Sequence, residues 1–518
     1  MRKLWLFTSI LLALGIPALA QHEHHAAQAS KANQPAISDP ESTDWVPPEI
    51  LVRPLPLRSG IGPVHEAVTT TSKEAQAYYD QGMAYLHSYV WIEAARSFHQ
   101  ALRLDPQMAM AYVGLSRTYS GLTDPQAARA AIQKARENSA HAAEWEKRRI
   151  ELRAQQLDAI ADLDNQEKLA AYRKAIDQAL KKRPNEIELL LIRGNAEEAL
   201  ASGRGQFGLA TAVPFYDRVL KLQSDNPAAH HYLVHNYEAL GNPEEAVKHG
   251  EVYARVTPAI AHAQHMYGHD LQKVNRNQEA VRQFQKAEAI EQAYYREEHI
   301  DVKYDWHHIH NLDLMSISHA YMGQMKQAEE LWRQAFAVPP SASLWEAYQA
   351  KWPEFLLERG RAQEALEAAQ KLAHGRWPLG RTMGHLLAGR AYLRMNQTEQ
   401  AQAELAAAEK EAATIEEVSP EPLLPHPRIM PALQMNLLKA ELALRAGKPE
   451  GEAALKQLLD KAGEGFRQAD ATAALFLMQL VAEEARAMQK WDLAAHAADA
   501  MLKFDANYAG GHYAKAWV

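Results

Sequence analysis

The sequence predicts an all-α protein built as a long array of paired helices, and three observations carry that expectation. The 518 residues are too many for one compact core, so they form several domains or an elongated repeat. Ala, Leu, Glu and Gln, all good helix formers, are abundant and fall into short helix-sized segments. Two stretches, "HHYLVHNYEALG" from His230 and "QHMYGHDLQKVN" from Gln264, repeat a His-x-x-x-His pair 34 residues apart (265 − 231 = 269 − 235 = 34).

Hydrophobic residues make up 47% of the chain and charged residues 23%, ordinary for a folded domain. A net charge of −8 and the lack of a long basic run argue against a nucleic-acid partner. With no cysteine there is no disulfide, no lipoprotein anchor site and no covalently attached c-type haem.

Residues 1–20 read as a signal peptide. Arg2 and Lys3 give the positive start, residues 4–14 the apolar stretch, and Ala18-Leu19-Ala20 the small-residue cleavage site. The apolar stretch is too short to span a membrane comfortably. The expected location is the periplasm or, as an alternative, outside the cell. Residues 21–70 are polar and proline-rich and predict a flexible leader. Its His22, His24 and His25 identify metal only by composition.

Order is expected from about residue 71, where Thr71 and Glu74 fit a capping box. In "AQAYYDQGMAYLHSYVWIEAARSFHQALRLDP", small residues (Gly82, Ala94, Ala101) alternate with aromatics (Tyr85, Phe98) before Pro106. Six positions at these spacings resemble a tetratricopeptide repeat. Tyr112, Leu115, Tyr119, Ala128, Ile132 and Ala135 fit a second unit. The signature fades between Trp145 and Lys182. Gly194 opens another first helix, and the glycine-rich "SGRGQFGLATAVP" reads as a turn, lacking the lysine of a phosphate loop.

Clear units return with Leu233, Tyr237, Ala246 and Pro258, then with Gly268, Ala280, Phe284 and Ala287. Ala328, Trp332, Ala335 and Pro340 close another unit after an inserted stretch. The main array is placed at 71–415, a proline-rich link "EEVSPEPLLPHPRIMP" at 416–431, and further repeats with a capping helix at 432–518. The resemblance covers most of the chain after about residue 72. It implies a right-handed superhelical solenoid of antiparallel helix pairs, each packing only on its neighbours. The "HYxxH" and "HMxxH" signatures also resemble those of exported bacterial tetratricopeptide proteins with histidine-rich repeats.

In that family the fifth and ninth positions of each unit face the concave groove. Counted from Pro227 and Ala261, these are His231, His235, His265 and His269, a two-by-two patch inside the groove. Neutral imidazole is a common ligand for zinc and copper, so one reading is a site for a divalent transition metal. A second reading is a groove that binds a protein or peptide partner, lined also by Asn195, Asn236, Glu238 and Asp270. A third is duplicated histidines with no ligand.

His262 flanks the patch, and Glu238 and Asp270 are candidate outer-shell partners. "YDWHHIHNLDLMSISH" adds His307, His308, His310 and His319. Framed on Tyr321, His319 takes the ninth position; framed on Ala328, the groove positions become Asp313 and Ile317. His262, His310 and His319 are further candidate ligands. No Ser-His-Asp order, nucleophile elbow or close acid pair supports catalysis. An enzyme is not expected unless the histidine patch holds a metal with an open position.

Overall fold

The computed structural model describes residues 46–162, 165–197, 210–415, 429–465 and 471–518. The expected signal peptide, the histidines at 22–25, most of the glycine-rich turn and residues 416–428 of the link lie outside them. The described residues form 25 α-helices and one short 3-10 turn, with no strand among them. Successive helices pack on one another in pairs, and the fold is the all-α repeat solenoid expected. No helix among them is long and apolar enough to cross a membrane.

The two histidine-bearing repeats keep strict register. Helices Pro227–Ala239 and Ala261–Lys273 begin and end 34 residues apart (261 − 227 = 273 − 239 = 34). The first is started by Asn226, whose side chain accepts from the Ala229 N–H, with Pro227 where no N–H is needed. Within some pairs a glycine allows close approach. A Cβ at Gly268 would lie 2.8 Å from the Phe284 ring, and one at Gly82 2.6 Å from Phe98. At the start of the array the helix Lys73–His87 is capped by Ser72, which accepts from the Ala75 N–H, rather than by Thr71.

The next repeat is displaced by an insertion. Ala328, Trp332 and Ala335 are buried as Ala280, Phe284 and Ala287 are, 48 residues earlier (328 − 280 = 335 − 287 = 48). The 14 additional residues (48 − 34 = 14) go into the long helix Asn277–Glu298, the turn Val302–Tyr304 and an early start to helix His307–Tyr321. This register puts Asp313 and Ile317 at the groove positions, and His319 at neither. Asp313 accepts from the Trp332 indole N–H at 2.9 Å.

Residues 46–70 correct the expectation of a flexible leader reaching residue 70. Ile50, Leu51, Leu55, Ile61 and Val68 are buried in one apolar cluster with Phe98, Ile132, Tyr253 and Ile260. The Gly60 carbonyl accepts from the Ala259 N–H at 2.9 Å, and the Arg53 guanidinium donates to the Glu298 carbonyl at 2.6 Å. These few apolar residues, scattered among prolines, tie the first repeats to the histidine repeats. Farther on, Leu438 shares a cluster with Leu386 and Ala401, so helices before and after residues 416–428 pack together.

Candidate metal centre

The end of helix Lys73–His87 and the loop after it close over the groove. The His87 carbonyl and the Tyr89 ring lie against the groove positions that an open solenoid leaves in solvent. The groove histidines are therefore interior: His231 and His265 are fully buried, and His262 is 5% exposed. Tyr89 holds a left-handed backbone (φ 58°) and its ring lies 4.4 Å from His231 and 5.4 Å from His262. Thr123, Asn275, Asn396 and Gln489 hold the same conformation, so it belongs to the turn between paired helices.

Three imidazoles converge beneath Tyr89. Nε2 of His231 lies 3.1 Å from Nε2 of His235 and 3.0 Å from Nε2 of His262. The tautomer of His231 follows from its other side: Nδ1 is 2.6 Å from the His87 carbonyl, which only accepts, so Nδ1 carries the hydrogen. Its Nε2 then offers a lone pair to two facing ring nitrogens. Nδ1 of His235 lies 3.8 Å from Glu238, an acceptor on the same helix. Nδ1 of His262 is buried with no hydrogen-bond partner. Tyr253 stacks on His231 at 4.9 Å and fixes its plane.

A second group continues from the first. The rings of His265 and His307 are 4.4 Å apart, and His310 lies 4.8 Å from His265. His307 meets both His265 and His262, the latter at 5.1 Å. His307 Nδ1 donates to Glu291, and His265 Nδ1 donates to Asn311 Oδ1 at 3.1 Å. His269 Nδ1 is 2.8 Å from Glu238, which also lies 3.7 Å from Lys273. Trp306, Trp345 and Tyr348 wall the far side.

Electrostatics keep five of these rings neutral. Burial, reinforced by neighbouring imidazoles, holds His231, His262, His265 and His310 well below the usual histidine range. Burial takes His235 down to about 4 despite Glu238 beside it. These rings are unprotonated at neutral pH and available as ligands without proton competition. His308 is the exception. Burial opposes its charge, but Glu288 and Glu291 raise it to about 10. It is thus a structural cation between two carboxylates, at 3.2 and 3.1 Å.

All four predicted groove histidines lie in this core, but the close set is His231, His235 and His262, with His265 and His269 in the adjoining group. His310 joins that second group. His319 does not: its Nδ1 is 2.6 Å from Gln324, and no ring contact links it to the others. His230 turns away to His249, 2.9 Å between Nδ1 atoms. The four residues expected to line a partner groove are interior too. Asn195 accepts from the Tyr216 hydroxyl at 2.6 Å and Asn236 donates to the Tyr232 carbonyl at 2.8 Å. Glu238 holds His269, and Asp270, fully buried, is pushed well above its usual range by burial and by Glu238.

Sequence reasoning missed the contributions of His307, Glu291, Asn311, His87 and Tyr89. For His307 a signal existed: it precedes His310 by three positions and shares its helical face. For His87 and Tyr89 none did.

No family model matches the sequence, and no curated protein matches it. Among solved structures, a tetratricopeptide repeat protein from Parabacteroides merdae is 16% identical with a TM-score of 0.34, covering 50% of this chain and 92% of that one. Yeast Tom70 is 13% identical with a TM-score of 0.35, covering 86% of this chain and 96% of its own. The tetratricopeptide protein YrrB, described as having an unusual peptide-binding site, is 14% identical with a TM-score of 0.26, covering 39% of this chain and 93% of its own. The fold of the present chain is that of the tetratricopeptide repeat, carried by its own 34-residue helix pairs.

Proposed function

We propose that this protein is a helical-repeat scaffold that binds a divalent transition metal in its interior, on Nε2 of His231, His235 and His262. One observation carries the reading: two ring nitrogens, on His235 and His262, stand 3.1 and 3.0 Å from His231 Nε2, on a ring whose proton is already spent elsewhere. One lone pair cannot satisfy two donors fully. If only one neighbour donates, the other contact sets two lone pairs face to face. A cation removes the conflict, since tetrahedral bonds of about 2.0–2.1 Å put ligand nitrogens roughly 3.3 Å apart. The Nδ1–H to carbonyl bond on the far side is the orienting contact expected of a ligand histidine.

All-nitrogen ligation without thiolate suits zinc or copper(II). Export, expected from the signal sequence, places the site outside the cytoplasm and is part of the proposal. So is a protein or peptide partner, for which repeat arrays supply extended surfaces. That partner engages a face other than Asn195, Asn236, Glu238 and Asp270, which are enclosed.

The experiment is elemental analysis of untagged full-length protein carrying His22→Ser, His24→Ser and His25→Ser. It should retain zinc after dialysis against added Zn²⁺. The further change His231→Ala/His235→Ala should remove one equivalent per chain. Equal zinc in the two proteins would sink the reading.

A further inference from the structure

We infer that the same interior holds a second cation, on Nε2 of His265 and His307, with His269 and His310 closing around it. The histidine core is then a two-ion centre. Its ligands are distinct from those of the first site, so this inference stands or falls separately from the proposed function.

The argument begins with protons. His265 spends its Nδ1–H on Asn311 Oδ1 at 3.1 Å, and that amide cannot be reversed, because Asn311 Nδ2 donates to the Phe284 carbonyl at 3.1 Å. His307 spends its Nδ1–H on the Glu291 carboxylate. His269 Nδ1 faces Glu238 at 2.8 Å, an ion-pair contact. With its Nδ1–H spent in this way, the neutral His265 ring presents Nε2 as a bare electron pair, and His307 does the same in its neutral form. A carboxylate behind an imidazole also makes it a stronger electron donor, the arrangement usual behind metal-ligating histidines.

Those electron pairs then have nowhere to go. Nε2 of His265 and Nε2 of His307 are buried without a hydrogen-bond partner, and so is Nδ1 of His310. Buried polar atoms are nearly always satisfied, and each exception calls for a missing partner. Three exceptions on rings whose centroids lie 4.4 and 4.8 Å apart call for one shared partner. The neutral His265 and His307 rings each present an acceptor there, and His310 presents a third when its hydrogen sits on Nε2, so the partner that serves all three is a cation. The nitrogens are less tightly gathered than in the first site, since no three of them fall within 4.8 Å of one another. Binding therefore closes the set by turning side chains, chiefly His310, while the helices stay in place. His262 lies between the sites, 4.9 Å from His231 and 5.1 Å from His307 by ring centroid.

The test is Zn²⁺ titrated calorimetrically into the full chain with its leader histidines at 22, 24 and 25 replaced by serine. Two equivalents are expected, falling to one in His265→Ala/His307→Ala and to one in His231→Ala/His235→Ala. A single equivalent lost only with His231 and His235 overturns the second site and leaves the first. A single equivalent lost only with His265 and His307 supports the second site and overturns the first. No uptake overturns both. Should His265→Ala/His307→Ala lose its helical circular dichroism, Glu291→Gln replaces it. One of the two equivalents should then bind about tenfold more weakly, and unchanged affinity for both overturns the second site.

Discussion

The interior around Arg149 and the interior around His231 are both polar and both buried, yet their atoms end in different states. Arg149 lies 3.0 Å from Glu66, 3.1 Å from Glu186 and 3.6 Å from Glu188. Glu188 in turn pairs with Arg117 and with His87 Nε2, the latter at 2.9 Å. No atom of these charged groups is a buried atom without a partner. In the histidine interior four ring nitrogens, on His262, His265, His307 and His310, are left in that condition. His87 touches both regions, with its imidazole in the charged network and its carbonyl on His231. Burial of polar groups is therefore no sign of a ligand. A buried electron pair with nothing to accept is such a sign.

The sharpest way to break the comparison is Arg149→Ala. Removing one member of a buried charge network leaves its partners uncompensated and costs about 3–5 kcal/mol, here chiefly by leaving Glu66 without a cation, since Glu186 keeps Arg183 and Glu188 keeps Arg117 and His87. The urea midpoint should fall accordingly, while zinc bound per folded molecule stays unchanged. The same network predicts an acid limb. Burial raises Glu188, but His87, Arg117 and Arg149 outweigh it and hold the carboxyl well below its ordinary 4.5. A depressed folded value means the stabilisation is complete above 4.5 and drains as the pH falls below it. Arg149→Ala should flatten that limb. An unchanged urea midpoint would show that the charged network is not what holds the first repeats together.

The first of these interiors was invisible in the sequence and the second partly legible. The 34-residue recurrence placed His231, His235, His265 and His269 on facing helices, because register within a repeat is local and periodic. It did not sort them. The second position of the next helix, His262, comes closer to His231 than the fifth does, through helix rotation and ring torsions that spacing does not encode. The 14-residue insertion shifted the third histidine helix and left its frame ambiguous until buried Ala328, Trp332 and Ala335 fixed it. Closure of the groove was out of reach altogether, since His87 meets His231 across 144 residues. The same holds for the strap at 46–70, whose apolar residues have no period.

A smaller effect separates the regions by ligand linkage. Zinc at 100 times its dissociation constant should stabilise the wild-type fold by about 2.7 kcal/mol per site if it binds only the folded chain. His231→Ala/His235→Ala should lose the part of that gain belonging to the first site, whereas Arg149→Ala should keep its full gain from a lower starting point. Thermal melts with and without Zn²⁺ read both. Equal zinc-induced shifts in wild type and the histidine variant would assign any binding to residues outside the triad.

The smallest effect is the most specific. Glu238 sits three residues after His235, 3.8 Å from its Nδ1, and reaches across to His269 at 2.8 Å. Its charge is maintained against burial by His269 and Lys273, which hold it well below the usual range. Glu238→Gln keeps the shape and an accepting oxygen but removes the negative charge behind two ligand rings. Both imidazoles become poorer electron donors, so zinc should bind about tenfold more weakly, at the mild end of losses seen for outer-shell changes. Exposed Glu251 on the neighbouring helix supplies the control: Glu251→Gln removes the same charge from the repeat without touching a ring and should leave affinity unchanged. Equal weakening by both substitutions would mean that zinc senses only the net charge of the repeat. Weakening by Glu238→Gln alone ties the carboxylate to the rings it orients.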